Sequence, residues 1–334
     1  MSSTLAPIPP PPVVMERLAP IPAPPGITLA ELPPERNPEV YANGMLTLAM
    51  AIAAALAPPP NVTVNEWADE YRYLSKDTSS EPGRYRTART PYWRRVMECL
   101  SESHPCKRVV VIAGSQLGKS EIGNNWLGYV MHLVGGPFLM VHPNVEVGRK
   151  YVQQRLSKLF EPYYDDGRPN PVGQSLEAVS DDPRAANRIM FRKYQGGYFI
   201  VVGSNAPSEL ASMPIRWLYC DEVDRFAATA GREGAPLGIV RKRQGAFPNS
   251  KEFLTSTPTV QGESVIETEF LATDMNLWYV PCPECTQAND GVPDGFQVLQ
   301  FAPTVDNPGG IHWNKDEPSS EAGYMCAHCG CVIP

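Results

Sequence analysis

The run Val109-Val110-Val111-Ile112, followed by Ala113-Gly114-Ser115-Gln116-Leu117-Gly118-Lys119-Ser120, decides how the rest of the chain is read. Four consecutive β-branched residues predict a strand buried as in a parallel sheet. The turn after it ends in Gly118-Lys119-Ser120 and opens a helix predicted to run to about Val134. A glycine turn at a helix N-terminus supplies converging backbone N–H groups, which phosphate oxygens require. The pattern is a P-loop, G-x-x-x-x-G-K-[ST], with Ala113 at the first glycine position and Gly114 one place later. Gly114, Ser115, Gln116, Leu117, Gly118, Lys119 and Ser120 are therefore candidate ligands of ATP phosphates. Lys119 would reach the β- and γ-phosphates, and the Ser120 hydroxyl would hold Mg²⁺.

Outward from this stretch, strand and helix patterns alternate. Phe138-Leu139-Met140-Val141 predicts a second strand, followed by a helix from about Val145 to Phe160. Residues 165–187, rich in Pro, Asp, Gly and Asn, predict a loop. Ile189-Met190-Phe191 and Tyr198-Phe199-Ile200-Val201-Val202 flank Gln195-Gly196-Gly197 as a hairpin. Ile215 to Cys220 and Glu252 to Thr255 are two more strands. Such alternation predicts an α/β fold, a mostly parallel sheet flanked by helices with its site at the carboxyl ends of the strands.

Two of these strand ends carry chemistry. Leu218-Tyr219-Cys220-Asp221-Glu222 is an apolar strand ending in two acids, a Walker B arrangement. Asp221 is placed to serve Mg²⁺, and Glu222 to orient or deprotonate the attacking water. Each motif supplies what the other lacks, so the fold class is that of a P-loop NTPase of the RecA-like, ASCE kind. Thr255-Ser256-Thr257, right after the last strand, lies where hydroxyls can report loss of the γ-phosphate.

The remainder differs in composition. The chain has 334 residues, 43% of them hydrophobic, and a net charge of −7, enough apolar content for a core and no overall basic footprint. Of its 36 prolines, 15 fall within residues 1–60. Residues 1–43 are predicted to be a disordered Pro/Ala-rich tail. Residues 44–100 are predicted as an N-terminal helical segment, with a helix at 44–57 and a capped one around Asn65 to Tyr71. The apolar run Met45 to Ala57 is shorter than the ~20 residues a membrane helix needs, and no basic region marks it as a signal peptide. Residues 84–95 hold five arginines and three aromatics with no acid, either a solvated face or a phosphate-facing patch. Residues 101–275 are assigned to the ATPase domain and 276–334 to a zinc-ribbon module. There, Cys282-x-x-Cys285 and Cys326-x-x-Cys329 give the four thiolates that tetrahedral Zn²⁺ takes. His328 and Cys331 are spare candidates.

Taken in order, Asn65-Glu66-Trp67-Ala68-Asp69-Glu70-Tyr71-Arg72, Pro82 to Thr87, Thr90-Pro91-Tyr92, Asp221 to Phe226, Ser256-Thr257-Pro258-Thr259 and Val280 to Cys285 form a set. That set resembles the large subunit of lambda-type phage terminases, the GpA family, over about residues 61–334. The resemblance implies an ATPase motor that translocates double-stranded DNA into a procapsid through the portal protein. It also implies a small terminase subunit as partner, a homo-oligomeric ring, and action in the cytoplasm of a bacterial host; residues 44–75, whose Ala/Leu/Met-rich helix has no room in the α/β core, are expected to dock that subunit. On it, Gly114 to Ser120 bind ATP, Asp221 serves Mg²⁺, Glu222 is the catalytic carboxylate, and Thr255, Ser256 and Thr257 couple hydrolysis to movement.

Three departures from the family pattern stand out. Ser115-Gln116 occupies the place of a P-loop arginine, leaving Arg241 and Arg243 as candidate fingers. Trp93 replaces a glutamine after Pro91-Tyr92 that recognises adenine. The family's C-terminal nuclease is not expected in this chain, because its acids form no second metal cluster. Two other classes compete. A superfamily-2 helicase-like ATPase shares the motifs but needs a second RecA-like domain. A zinc-dependent DNA-binding adaptor with a degenerate P-loop would not need Lys119, Ser120, Asp221 and Glu222 together.

Overall fold

The computed structural model describes residues 44–49, 52, 61–177, 189–211, 213–232, 234–260, 262–288, 296–299, 308–313 and 322–333. The chain divides into two units, Met1–Pro60 and Asn61–Pro334. In the first, residues 44–49 are helical, with Met45, Leu46 and Leu48 exposed. The expected tail, 1–43, and most of the expected continuation of that helix to 57 lie outside the described residues.

The second unit is built on six strands: β1 (Arg108–Ile112), β2 (Phe138–His142), β3 (Phe191–Tyr194), β4 (Gly197–Gly203), β5 (Trp217–Asp221) and β6 (Lys251–Ser256). Their order is β1-β6-β5-β2-β4-β3, parallel throughout except for the β3/β4 hairpin. Successive side chains on a strand point to opposite faces, and the sheet has two apolar faces. Phe138, Met140, Phe199, Val201, Trp217, Tyr219 and Phe253 face one way. Leu139, Val141, Val202, Leu218, Cys220 and Leu254 face the other. The mostly parallel α/β sheet with flanking helices is thus as expected. β1 differs from its reading as a fully buried strand: Val109–Ile112 are half-buried, because among the described residues β1 pairs only with β6, at the sheet's edge.

The first face is covered by α1 (Val64–Tyr71), α2 (Arg94–Leu100), α3 (Lys119–Tyr129) and α4 (Val145–Tyr151); α5 (Pro236–Arg241) and α6 (Val265–Leu271) lie on the second. α1 starts where its sequence predicts. Thr63 and Glu66 form a reciprocal capping box, Thr63 N–H donating to Glu66 Oε2 at 2.8 Å and Glu66 N–H to Thr63 Oγ1 at 3.4 Å. Its Trp67 lies flat on α3 at Gly128, where a Cβ would come within 2.3 Å of the indole. The indole N–H donates to His132 Nδ1 at 3.0 Å. Buried Arg72 pairs with Glu121 in the first turn of α3 at 2.5 Å. Residues 61–100 therefore share one core with the P-loop helix. The stretch expected as loop at 165–187 contains a short helix, Pro171–Ser175, because Asn170 caps it by accepting the Val172 N–H and Pro171 suits its first turn.

Beyond α6 the described residues form short antiparallel ladders and a short helix, Pro283–Ala288. Tyr279–Pro281 pairs with Phe296–Val298, and Gly323–Met325 lies between Gly310–His312 and Val332–Ile333. Among the described residues no helix is long and apolar enough to cross a membrane.

Candidate functional site

The loop between β1 and α3 turns on Gln116 and Gly118, both with positive φ (64° and 91°). Gly118 tolerates that conformation without a Cβ penalty. The loop is also pinned from outside, since the buried Trp93 indole N–H donates to the Leu117 carbonyl at 2.7 Å. Trp93 thus gives its one polar group to the loop backbone. Lys119 is only 5% exposed, yet its ammonium is well supplied. It donates to the carbonyls of Ala113 and Gly114, both at 2.9 Å, and to Thr257 Oγ1 at 2.7 Å. Glu222 Oε1 lies 3.6 Å away.

Asp221 ends β5 and is buried. Ser120 Oγ donates to its Oδ2 at 3.0 Å and Thr255 Oγ1 to its Oδ1 at 2.8 Å. Glu222 follows in the left-handed region, φ 56° and ψ 53°. A non-glycine residue there is strained, and such strain clusters at functional sites. The turn aims the Glu222 carboxylate back across the P-loop, where Oε2 accepts the Thr257 N–H at 3.4 Å and lies 3.9 Å from Arg225 Nε. The carboxyl ends of β1, β5 and β6 so bring Lys119, Ser120, Asp221, Glu222 and Thr257 together.

The three hydroxyls expected after the last strand separate in space, Thr255 and Ser256 being the final residues of β6 and Thr257 the first beyond it. Thr255 serves Asp221, Ser256 Oγ accepts the Asp224 N–H at 3.2 Å on the opposite face, and Thr257 alone meets Lys119. Asp224 is turned away from Lys119 and Asp221. It accepts the N–H groups of Ile266 (2.8 Å) and Thr259 (3.0 Å), tying the β6 loop to α6. Those bonds lower its pKa although burial works against them. Neither expected arginine finger is at the site. Arg241 forks onto Glu252 and Glu269 at 2.6–3.1 Å, and the Arg243 carbonyl accepts the Ile215 N–H ahead of β5. Glu252 and Trp217 lie at the amino ends of their strands, so both arginines are at the opposite end of the sheet. Arg225, 70% exposed beside Glu222, is the arginine found there instead.

Two groups escaped the motif search. Tyr151 of α4 places its hydroxyl 2.7 Å from Asn124 Oδ1 and 3.2 Å from the Ser120 carbonyl. His142, the last residue of β2, packs its ring on Tyr151 at 4.5 Å. Their place depends on strand register, which no local pattern shows. In the arginine-rich stretch, Arg84 pairs with Glu70, Arg89 with Glu81 and Arg95 with Glu98, which favours the solvated-face reading for those three.

Five cysteines gather at the short ladders. Cys282 Sγ lies 3.8 Å from Cys329 Sγ, and Cys285 Sγ 3.8 Å from Cys326 Sγ. Four sulfurs at about 2.3 Å from one Zn²⁺ stand about 3.8 Å apart along each tetrahedral edge, the length of both of these contacts. Cys331 Sγ is nearer, 3.3 Å from Cys282 Sγ. Cys282, Cys326, Cys329 and Cys331 also lie within 4.8 Å of one another. Cys282 and Cys326 belong to both sets: the Cys285 N–H, with that of Glu284, points at Cys282 and draws its thiol down to about 6. Cys326 is likewise lowered, burial being outweighed by the Cys329 and His328 N–H groups.

Comparison with known proteins agrees with this architecture. Residues 79–334 match the family model for the phage terminase large subunit gpA, ATPase domain. The terminase large subunit of Enterobacteria phage P21 is 25% identical over 294 residues, covering 87% of this chain and 42% of that protein. That of Escherichia phage lambda is 25% identical over 278 residues, covering 83% and 40%. The chain therefore spans about two fifths of the length of these relatives. Among solved structures, the HK97 bacteriophage large terminase aligns with a TM-score of 0.48 at 8% identity, over 64% of this chain and 42% of that one. The Thermus phage P74-26 large terminase ATPase domain aligns with a TM-score of 0.36 at 15% identity, over 53% and 68%. The chain belongs to the gpA family of phage terminase large subunits, in its ATPase domain.

Proposed function

We propose that the chain hydrolyses ATP at the carboxyl ends of β1, β5 and β6, and that hydrolysis drives double-stranded DNA into a procapsid. The observation that carries this reading is the convergence of Lys119, Glu222 and Thr257 beside the Ser120–Asp221 pair. The P-loop backbone and Lys119 bind the phosphates. Ser120 and Asp221 are the residues that would hold Mg²⁺, which neutralises charge developing on the phosphate oxygens. Glu222 takes the proton of the attacking water. Thr257 Oγ1 accepts from the Lys119 ammonium at 2.7 Å, so a γ-phosphate competes with Thr257 for the same ammonium. This competition gives the β6 loop two arrangements, one per nucleotide state, and is the coupling step we assign to Thr257, with Thr255 and Ser256 fixing the loop on either face.

Cys282, Cys285, Cys326 and Cys329 are the proposed ligands of one structural Zn²⁺. Membership in the family supports a small terminase subunit and a portal protein as partners, a ring of copies, and the bacterial cytoplasm as the place of action. Within residues 44–75, α1 already buries Val64, Trp67 and Ala68. The part left for the small subunit is the helix with exposed Met45, Leu46 and Leu48. The test is steady-state ATPase with and without DNA. Lys119→Ala should abolish turnover, and a wild-type rate in that variant would overturn the reading.

A further inference from the structure

Val141 lies opposite Cys220 of β5, which puts His142 next to Asp221, and Asp221 lies opposite Thr255 of β6. Residues in register on neighbouring parallel strands share a face. His142, Asp221 and Thr255 thus form one polar row at the carboxyl edge of the sheet, on the face covered by α3. The next equivalent row below is Met140, Tyr219 and Phe253, part of the apolar core.

The row is incomplete at its His142 end. Asp221 has Thr255 on one oxygen and Ser120 on the other. His142 is 2% exposed, and its Nε2 is buried without a hydrogen-bond partner among the described residues. Tyr151 covers the ring. Gly148 of α4 closes its edge, where a Cβ would stand 3.5 Å from Cδ2. Buried polar nitrogens nearly always have a partner, protein or water. Here the imidazole stands beside the carboxylate to which Mg²⁺ is assigned, and among the described residues no group uses its Nε2.

We propose that His142 is a positioning residue for the divalent ion of the nucleotide site, its Nε2 exchanging a hydrogen bond with a water of the ion's hydration shell. This rests on Ser120 and Asp221 being the ion's protein ligands. Mg²⁺ dehydrates reluctantly and keeps several waters when bound to protein. Outer-shell groups orient such shells, and losing one typically lowers metal affinity ~10–100-fold. Thr255 braces Asp221 from one side, and His142 braces the ion's water from the other.

The experiment measures binding of a fluorescent ADP analogue to the full chain, first in EDTA and then during Mg²⁺ titration. His142→Leu should raise the Mg²⁺ concentration for half-saturation about tenfold or more, with binding in EDTA unchanged. His142→Gln, whose carboxamide both donates and accepts, should restore most of it. Asp221→Asn is the reference. If Asp221→Asn leaves Mg²⁺ dependence intact, the ion site itself is misread and the proposal falls with it. If Asp221→Asn weakens Mg²⁺ and His142→Leu does not, the role of His142 alone is overturned. Equal losses with and without Mg²⁺ in His142→Leu would mark a packing residue and also overturn it. Should the Leu variant fail to fold, His142→Phe keeps a ring and gives the same readout.

Discussion

The nucleotide site and the cysteine cluster are both built at strand and ladder ends, but different things hold them. Behind Lys119, Asp221 and Glu222 stand two apolar faces of a six-stranded sheet, with Trp126, Trp217, Tyr219 and Phe253 fully buried. At the cysteine cluster the buried side chains are Cys282, Cys285 and Cys326 themselves, with Cys331 against them. Trp278, Tyr279, Trp313 and Val332 are exposed around it. The first site is held in shape by the packed sheet behind it. In the second, among the described residues, sulfur occupies the place of a core, so the proposed Zn²⁺ would itself serve as the core.

That contrast is broken most severely by removing zinc. Structural Zn²⁺ contributes folding free energy of order 10 kcal/mol in small modules, far more than three cysteines can supply by burial. Chelation should therefore make residues 276–334 sensitive to protease while nucleotide binding and the main melting transition persist. Metal analysis should find one zinc per chain in wild type and in Cys331→Ser, and none in Cys326→Ala. A stripped protein that stays protease-resistant across 276–334 would equate the two regions.

Within the sheet-held site, chemistry and scaffold should separate cleanly. Glu222→Gln keeps the shape of the side chain but not its basicity, so turnover should fall ~10²–10⁴-fold. Nucleotide binding should survive, because Lys119 and the P-loop do not depend on that carboxylate for placement. Turnover and equilibrium binding measured on one preparation check both halves.

The sequence shows this site far better than its surroundings, for a physical reason. Lys119-Ser120 and Asp221-Glu222 each lie within one local motif, where a strand end dictates side-chain direction. The β-branched and aromatic runs likewise mark the strands. What was hidden depends on pairing between distant segments. His142 reaches Asp221 only through the β2–β5 register. Val109–Ile112 reads as a central strand yet lies at an edge, since strand order is not encoded in the strand itself. Arg241 could be taken for a finger because nothing nearby in sequence shows that Glu269 will meet it.

Arg241 sharpens the comparison from the far end of the sheet. Its guanidinium satisfies Glu252, 6% exposed, and Glu269, 16% exposed. Removing one partner of a buried ion pair typically costs about 3–5 kcal/mol, and Arg108, 3.4 Å from Glu252 and 3.6 Å from Glu269, offsets part of the charge left behind, which puts the loss at or below the lower end. Arg241→Ala should lower the denaturation midpoint by an amount of that order. At a temperature where the variant is still folded, ATP turnover per folded molecule should match wild type. A selective loss of turnover without loss of stability would return Arg241 to the active site.

The smallest expected effect concerns how α1 is fastened to the P-loop helix. The Trp67 indole N–H needs the lone pair of His132 Nδ1, and Tyr71 presents its ring edge-on to the same imidazole at 4.8 Å. Protonation removes that lone pair. Burial lowers the pKa of His132 below its ordinary value. A histidine whose folded pKa is depressed contributes stability that is complete above the unfolded value, about 6.5. That contribution is lost as pH falls from there towards the folded pKa, because the unfolded chain then binds the extra proton. The slope cannot exceed about 1.4 kcal/mol per pH unit for one such group. His104 and His142 are lowered in the same direction, again by burial, so wild type should lose stability below pH ~6.5 through several groups at once. His132→Gln replaces the titrating acceptor with a carboxamide oxygen that can still receive the indole N–H. It should flatten part of that acid slope and leave stability at pH 8 nearly unchanged. Urea midpoints of both proteins at pH 5.5, 6.5 and 8 decide it: parallel profiles would mean that His132 takes up its proton as readily in the folded chain as in the unfolded one, and would overturn its lowered pKa as a source of the acid slope.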